Sequence, residues 1–130
     1  MWPSRIENPI FLLNIYGHYP SLADVEVTSL QIIRDGPSLK LSFISKVLPY
    51  RPPTKWEPFN AVGFELNFFA LKAVNVVHMA SDGLSTIKMQ DGYGAISMSC
   101  EGALKCSLTC GFLFVDKIVG LLQSDKEDWS

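Results

Sequence analysis

A small set of residues in this chain has the types and spacing that chemistry requires. His18 and His78 are the side chains that titrate near neutrality, and neither has a second acid–base group beside it. His78 follows Val74 and Val76 in alternating sequence, which predicts a partly buried strand residue. Cys100, Cys106 and Cys110 fall on strand-like sequence, whereas zinc sites usually pair cysteines roughly two to four apart on a turn. Cys106 and Cys110 share parity with Leu108 and Phe112 and are expected in the core, reduced and free of metal. Same-face positions four apart on a strand lie about 13 Å from each other, beyond disulfide reach. Ser85 and Lys88 match a Ser-x-x-Lys spacing, but that chemistry needs a helical turn and this stretch reads as a strand. Asp24 and Glu26 would share one strand face about 7 Å apart, a solvated acidic surface rather than a hydrolytic pair. No phosphate loop, dinucleotide glycine fingerprint or Gly-x-Ser-x-Gly elbow occurs. The residues assemble no catalytic site and imply no cofactor.

One segment is suited to recognition instead. Residues 49–58 hold four prolines in ten positions, which prevents ladder pairing and predicts a stiff, extended surface loop. Lys55, Trp56 and Glu57 stand between those prolines. Tryptophan is enriched in binding hot spots, so Trp56 with its charged neighbours is a candidate contact for a protein partner, joined by the acidic Asp24 and Glu26. The competing reading has Trp56 folded back to cap the sheet, with residues 54–57 forming a capping box or tight turn.

The elements that must position this loop are mostly strands. Asn8, Pro9 and Gly17 bracket a short N-terminal helix as N-cap, first residue and left-handed stop. Val25 and Val27 alternate with Asp24 and Glu26, then the apolar phase slips to Leu30 and Ile32, which predicts a bulge near Thr28 and Ser29. Asp35-Gly36-Pro37 is a hairpin turn leading to alternating Leu39, Leu41 and Phe43. Val62, Phe64, Leu66 and Phe68 make the next strand, and another starts near Ala73. Asp82-Gly83, Asp91-Gly92 and Glu101-Gly102 punctuate strands at residues 85–90, 93–100 and 104–114. Residues 117–123 suit a last strand or a helical turn equally. Residues 125–130 form a polar tail.

The expected fold is mainly β, α+β at most. It is one antiparallel meander sheet, curved or sandwich-like, of six to eight strands with the short helix over one face or edge, and residues 1–130 make a single domain. Leu41, Phe43, Phe64, Leu66, Val76, Met98, Leu108 and Phe112 are the expected core. Composition agrees with a folded chain: 48% of residues are hydrophobic and 18% charged, which excludes disorder. A net charge of −2 argues against a basic nucleic-acid reader. No apolar run approaches the roughly 20 residues of a membrane span, and no secretory leader is visible. Three cysteines suit a reducing compartment, so the expected location is the cytoplasm.

The runs Pro20-Ser21-Leu22-Ala23-Asp24-Val25-Glu26-Val27, Arg34-Asp35-Gly36-Pro37 and Pro53-Thr54-Lys55-Trp56 are similar to the immunity protein 50 family. So are Phe59-Asn60-Ala61-Val62-Gly63-Phe64-Glu65-Leu66-Asn67-Phe68 and Phe114-Val115-Asp116-Lys117-Ile118, so that the resemblance covers residues 18–120 in order. Ala23 stands where the family often carries a histidine, so any role of that side chain is absent here. The resemblance implies a cytoplasmic antidote of a bacterial polymorphic toxin system: a binder of a cognate toxin domain, without catalysis, monomeric or homodimeric, with its contact residues unassigned. The alternative is a small-molecule-binding or enzymatic β-domain with a pocket between the N-terminal helix and the sheet.

Overall fold

The computed structural model describes residues 2–4, 6–92 and 94–123, so the polar tail expected at 125–130 lies outside the described residues. The elements are β1 (Ile6–Glu7), α1 (Ile10–Tyr16), β2 (Glu26–Ile33), β3 (Ser38–Ser45), β4 (Ala61–Phe69), β5 (Ala73–Met79), β6 (Ser85–Gly92), β7 (Ala95–Gly102), β8 (Leu104–Cys110) and β9 (Phe112–Leu121). A 3-10 turn at Thr54–Trp56 interrupts the proline-rich loop.

The strands form two sheets, ordered β1-β9-β4-β3-β2 and β5-β8-β7-β6. This corrects the expected single antiparallel meander. β1 also runs parallel to β9, so the five-stranded sheet is mixed. The cause lies where alternating sequence continues while the chain changes sheet. β4 and β9 pair as far as Phe69 and Phe112, and β5 and β8 resume at Ala73 and Thr109. Between them Ala70 takes φ 53°, and the Gly111 N–H donates to the carbonyls of Phe69 (3.0 Å) and Ala70 (3.1 Å). A second crossing lies at Val25, which exchanges two backbone hydrogen bonds of 2.8 Å with Ser85 of β6. One residue later Glu26 pairs with Ile44 of β3. The strands number nine among the described residues, rather than six to eight, because Gly111 divides residues 104–121 and Ile6–Glu7 adds a two-residue strand.

The core lies between the sheets. Leu41, Phe43, Phe64, Leu66, Met98 and Leu108 are buried as expected. Val76 and Phe112 are not, at 41% and 40% exposed. Val76 lies on β5, the outermost strand of its sheet. Phe112 lies just past Gly111, where the change of sheet inverts the inward parity: Cys110 and Leu113 are buried while Phe112 stacks on Phe69 outside, ring centroids 5.6 Å apart. His78 is exposed rather than partly buried, because a register shift between Val76 and His78 turns it to the other face. The bulge expected near Thr28 is present as a shift between Val27 and Ser29, and β2 and β3 pair antiparallel around the Gly36 turn.

Helix α1 begins one residue later than expected, with Pro9 as N-cap and no side-chain cap. Asn8 instead adopts φ 60° and donates from Nδ2 to the Val115 carbonyl (3.2 Å). Gly17, at φ 77°, closes the helix by donating to the Leu13 carbonyl (2.8 Å), the expected left-handed stop. Leu12, Ile15 and Tyr16 are buried, and Tyr16 lies over Phe64 with centroids 6.2 Å apart. Residues 117–121 belong to β9 and are strand.

Candidate interaction surface

The proline-rich loop leaves β3 at Ser45 and returns at Ala61, and it is tied down at both ends. On the outgoing side the Tyr16 hydroxyl donates to the Val47 carbonyl (2.8 Å), and the Arg51 N–H donates to the Ile15 carbonyl (2.7 Å). Burial raises the Tyr16 phenol well above its ordinary range, so it remains a hydroxyl donor through neutral and mildly alkaline pH. On the returning side the Asn60 N–H donates to the Leu121 carbonyl (2.9 Å). Its side-chain amide both donates to the Gln123 carbonyl (2.8 Å) and accepts from the Gln123 N–H (2.7 Å). Lys46 Nζ donates to Gln123 Oε1 (2.7 Å), which links the two sides.

Between these ties the 3-10 turn presents Trp56. The Trp56 N–H donates to the Pro53 carbonyl (3.0 Å) and the Glu57 N–H to the Thr54 carbonyl (3.1 Å). The tight turn is therefore formed, without a side-chain capping box. The indole is half-buried. It stands edge-on to Phe11 of α1 (6.1 Å) and Phe59 (5.7 Å), and its root rests on Gly120 of β9. Trp56 thus closes the end of the core and still offers part of its surface to solvent.

Further apolar side chains are exposed on α1 and along the loop. Ile10 and Phe11 project from α1, with Leu48, Tyr50 and Leu122 exposed nearby along the chain. Tyr50 is 82% exposed and carries the Arg51 guanidinium over its ring, 5.9 Å from the centroid. Lys55 and Glu57 are exposed on either side of Trp56.

The acidic residues lie elsewhere. Asp24 is not on a strand: it has φ 52° at the sheet crossing, and its N–H donates to Thr86 Oγ1 (3.3 Å). The two carboxylates therefore do not share a strand face. Glu26 opens β2, and β3 and β4 separate it from the strand on which Trp56 rests. Since Glu26 pairs with Ile44, it still lies at the end of the sheet from which the loop departs.

Leu12, Ile15 and Tyr16 of α1 are buried against the core. One recess of about 590 Å³ lies just past the end of α1, between Trp2, His18, Tyr19 and Leu22 and Ile87 and Met89 of β6, and another of about 480 Å³ lies on the outer face of the four-stranded sheet, among Asn75, Lys88, Ser97, Ser99, Ser107 and Thr109. Ser85 is buried and accepts from the Leu104 N–H (3.0 Å), while Lys88 is exposed, as strand geometry requires of positions three apart. No group of three or more His, Cys, Asp or Glu among the described residues is placed to hold a metal.

All three cysteines are free and buried. The sequence reading missed that Cys100 and Cys106 face each other across the β7–β8 hairpin. Their symmetric placement about Ala103 was the available signal. The hydrogen bond between the two thiols holds Cys100 below the usual thiol range and pushes Cys106 above it. Burial raises Cys110 to about 11.

Exposed aromatic and aliphatic side chains on α1 and the loop that carries a half-buried tryptophan fit binding better than catalysis. A family model, immunity protein 50, matches residues 8–120. The chain belongs to the immunity protein 50 family. The match includes α1 and the whole proline-rich loop, and so extends further toward the N-terminus than the resemblance noted above. Neither the curated proteins nor the solved structures contain a match to this chain. An immunity protein acts by binding and neutralising a cognate toxin, and that role requires no catalysis.

Proposed function

We propose that this immunity protein holds its toxin through the surface formed by α1 and residues 47–59, and that it does so in the cytoplasm. Trp56 is the central anchor, Tyr50 and Ile10 extend the apolar contact, and Arg51, Lys55 and Glu57 form the polar rim. The observation that carries this reading is the seating of Trp56: half-buried between Phe11 and Phe59, on a loop tied at both ends by hydrogen bonds. A loop already ordered in the free protein loses little conformational entropy on binding, and a rigid aromatic at its centre supplies contact area. Asp24 and Glu26 add negative charge at the same end of the sheet and speed encounter with a basic toxin domain. Three free thiols support a reducing compartment.

Co-expression with the cognate toxin domain tests the proposal. Lys55→Glu and Tyr50→Ala should weaken growth rescue and co-purification while leaving the fold intact. Rescue and co-purification at the unmodified level in both variants would place the toxin on another surface.

A further inference from the structure

Cys100 and Cys106 stand directly opposite each other in the antiparallel β7–β8 pair. Opposed residues in such a pair have Cα atoms roughly 4.5–5.5 Å apart, inside the roughly 4.4–6.8 Å that a disulfide spans. Both side chains are buried in the core, and the two thiols are hydrogen-bonded to each other. The turn between them holds that register. Ala103 donates its N–H to the Leu84 carbonyl (3.1 Å), and its own carbonyl accepts from the Ala80 N–H (2.7 Å). Cys110 is outside the pair: it lies opposite Ile96, and its thiol donates to the Phe112 carbonyl (3.7 Å). Cys100 has a second partner. The Ser85 hydroxyl donates to its sulfur while accepting from the Leu104 N–H (3.0 Å). Ser85 also borders a surface recess of about 230 Å³ between β2 and residues 79–83, so it stands between the Cys100 sulfur and an opening that admits a small oxidant.

We propose that Cys100 and Cys106 form a redox-active dithiol that hydrogen peroxide converts to an internal disulfide. Cys100 supplies the attacking sulfur, because hydrogen bonds donated by Ser85 and Cys106 favour its thiolate. In the first step an S–O bond forms and the O–O bond breaks. The displaced hydroxide leaves as water with the Cys100 proton, and Cys100 becomes a sulfenic acid. The Cys106 sulfur then attacks the Cys100 sulfur: the S–S bond forms, the S–O bond breaks, and hydroxide leaves as water with the Cys106 proton. Two thiols give up two electrons, and one peroxide becomes two waters. The second step protects the fold. A buried sulfenic acid left alone is open to further oxidation to sulfinic acid, an ionised group that an apolar core disfavours. Cys106 intercepts it, so the immunity protein stays folded in an oxidised cell and a thiol reductant restores it. The pair lies between the sheets, and the inference does not depend on the toxin contact proposed at Trp56.

Treatment of the full reduced chain with hydrogen peroxide, then alkylation under denaturing conditions and peptide mapping, tests it. Trypsin cuts after Lys88, Lys105 and Lys117, which puts Cys100 on one fragment and Cys106 with Cys110 on another. The expected product is a single chain lighter by two hydrogens, its two fragments joined through Cys106, with Cys110 alkylated and the link reversed by reductant. Its melting temperature should equal or exceed that of the reduced chain. Cys106→Ala, treated alike, should gain oxygen at Cys100 and melt below its untreated form. Should that variant fail to fold, the mapping of the parent chain decides alone. Cys100 and Cys106 both still open to alkylation after peroxide overturns the proposal, as does a link through Cys110 or between chains. Sulfinic acid as the main product at Cys100 of the parent overturns it too, because Cys106 then intercepts nothing. A fall in melting temperature on formation of the link overturns the protective role.

Discussion

Gly120 and Trp56 are complementary by absence: a Cβ on Gly120 would stand 2.8 Å from Cβ, Cγ and Cδ2 of Trp56. Real Cβ atoms do not approach that closely, so the indole seats where it does only because position 120 has no side chain. Gly120 lies in β9 with no left-handed backbone requirement, which makes the constraint steric alone. Gly120→Ala should therefore displace Trp56 and cost roughly 1–3 kcal/mol of stability, the usual range for overpacking. Chemical denaturation measures the loss, and toxin affinity should fall with it.

Trp56→Ala should lower both properties for a different reason. It removes a ring packed between Phe11 and Phe59 and also removes the proposed anchor. Melting should drop, and toxin binding measured on the folded fraction should weaken by at least about 2 kcal/mol. Affinity that falls only in proportion to the unfolded fraction would leave Trp56 as a core cap.

Gly102 is the glycine with the least freedom. It has φ 136°, and a Cβ there would overlap the Leu84 carbonyl oxygen and lie 2.8 Å from Ser85 Cα. Both obstacles are backbone and do not swing aside. Gly102→Ala should cost roughly 3 kcal/mol or more, from strain and clash together. Gly36→Ala, at φ 63° in open space, should cost only about 1 kcal/mol. Thermal melting of the two variants side by side checks the difference.

How much of this was legible in the sequence follows from what alternation reports. Period-2 patterning states which residues share a face, so Leu41, Phe43, Phe64 and Leu66 were readable as core, and the slip at Val27 announced its bulge. The pattern is silent about which sheet a strand joins. From Leu104 to Phe114 the apolar residues keep coming, yet the chain changes sheet at Gly111 and reverses its inward parity there. That reversal depends on Ala70 taking a left-handed conformation opposite Gly111, which no local sequence signal marks. The parallel β1–β9 pairing rests on two residues and likewise leaves no pattern in the sequence. In the candidate site, the prolines foretold a stiff loop around Trp56. Its hydrogen bonds to the end of α1 and its seat on Gly120 join residues far apart in sequence and needed the structure. Asp24 and Glu26 looked like one acidic face because the sheet crossing at Val25 could not be seen.

The thiols give a pH test with a definite sign. An unfolded cysteine ionises near 9.0, whereas buried Cys110 ionises at about 11. The folded value is raised, so the contribution to stability is fully present below pH 9 and is lost as pH rises toward 11. Over that window the protein should lose roughly 3 kcal/mol on account of Cys110. Cys110→Ala should remove that part of the slope, so the gap between parent and variant should change across the window. Urea titrations at several alkaline pH values, with reductant present, measure it.

Docking of toxin on the surface around Trp56 is decided at Tyr50, which is 82% exposed and lies under the Arg51 guanidinium. Its truncation cannot act through the core as that of Trp56 can. The decisive measurement is the affinity of Tyr50→Ala for the cognate toxin domain by calorimetry, with melting of the same sample. Affinity should fall at least about tenfold with an unchanged melting temperature. Unchanged affinity in Tyr50→Ala, together with parental affinity in the folded fraction of Trp56→Ala, would contradict it.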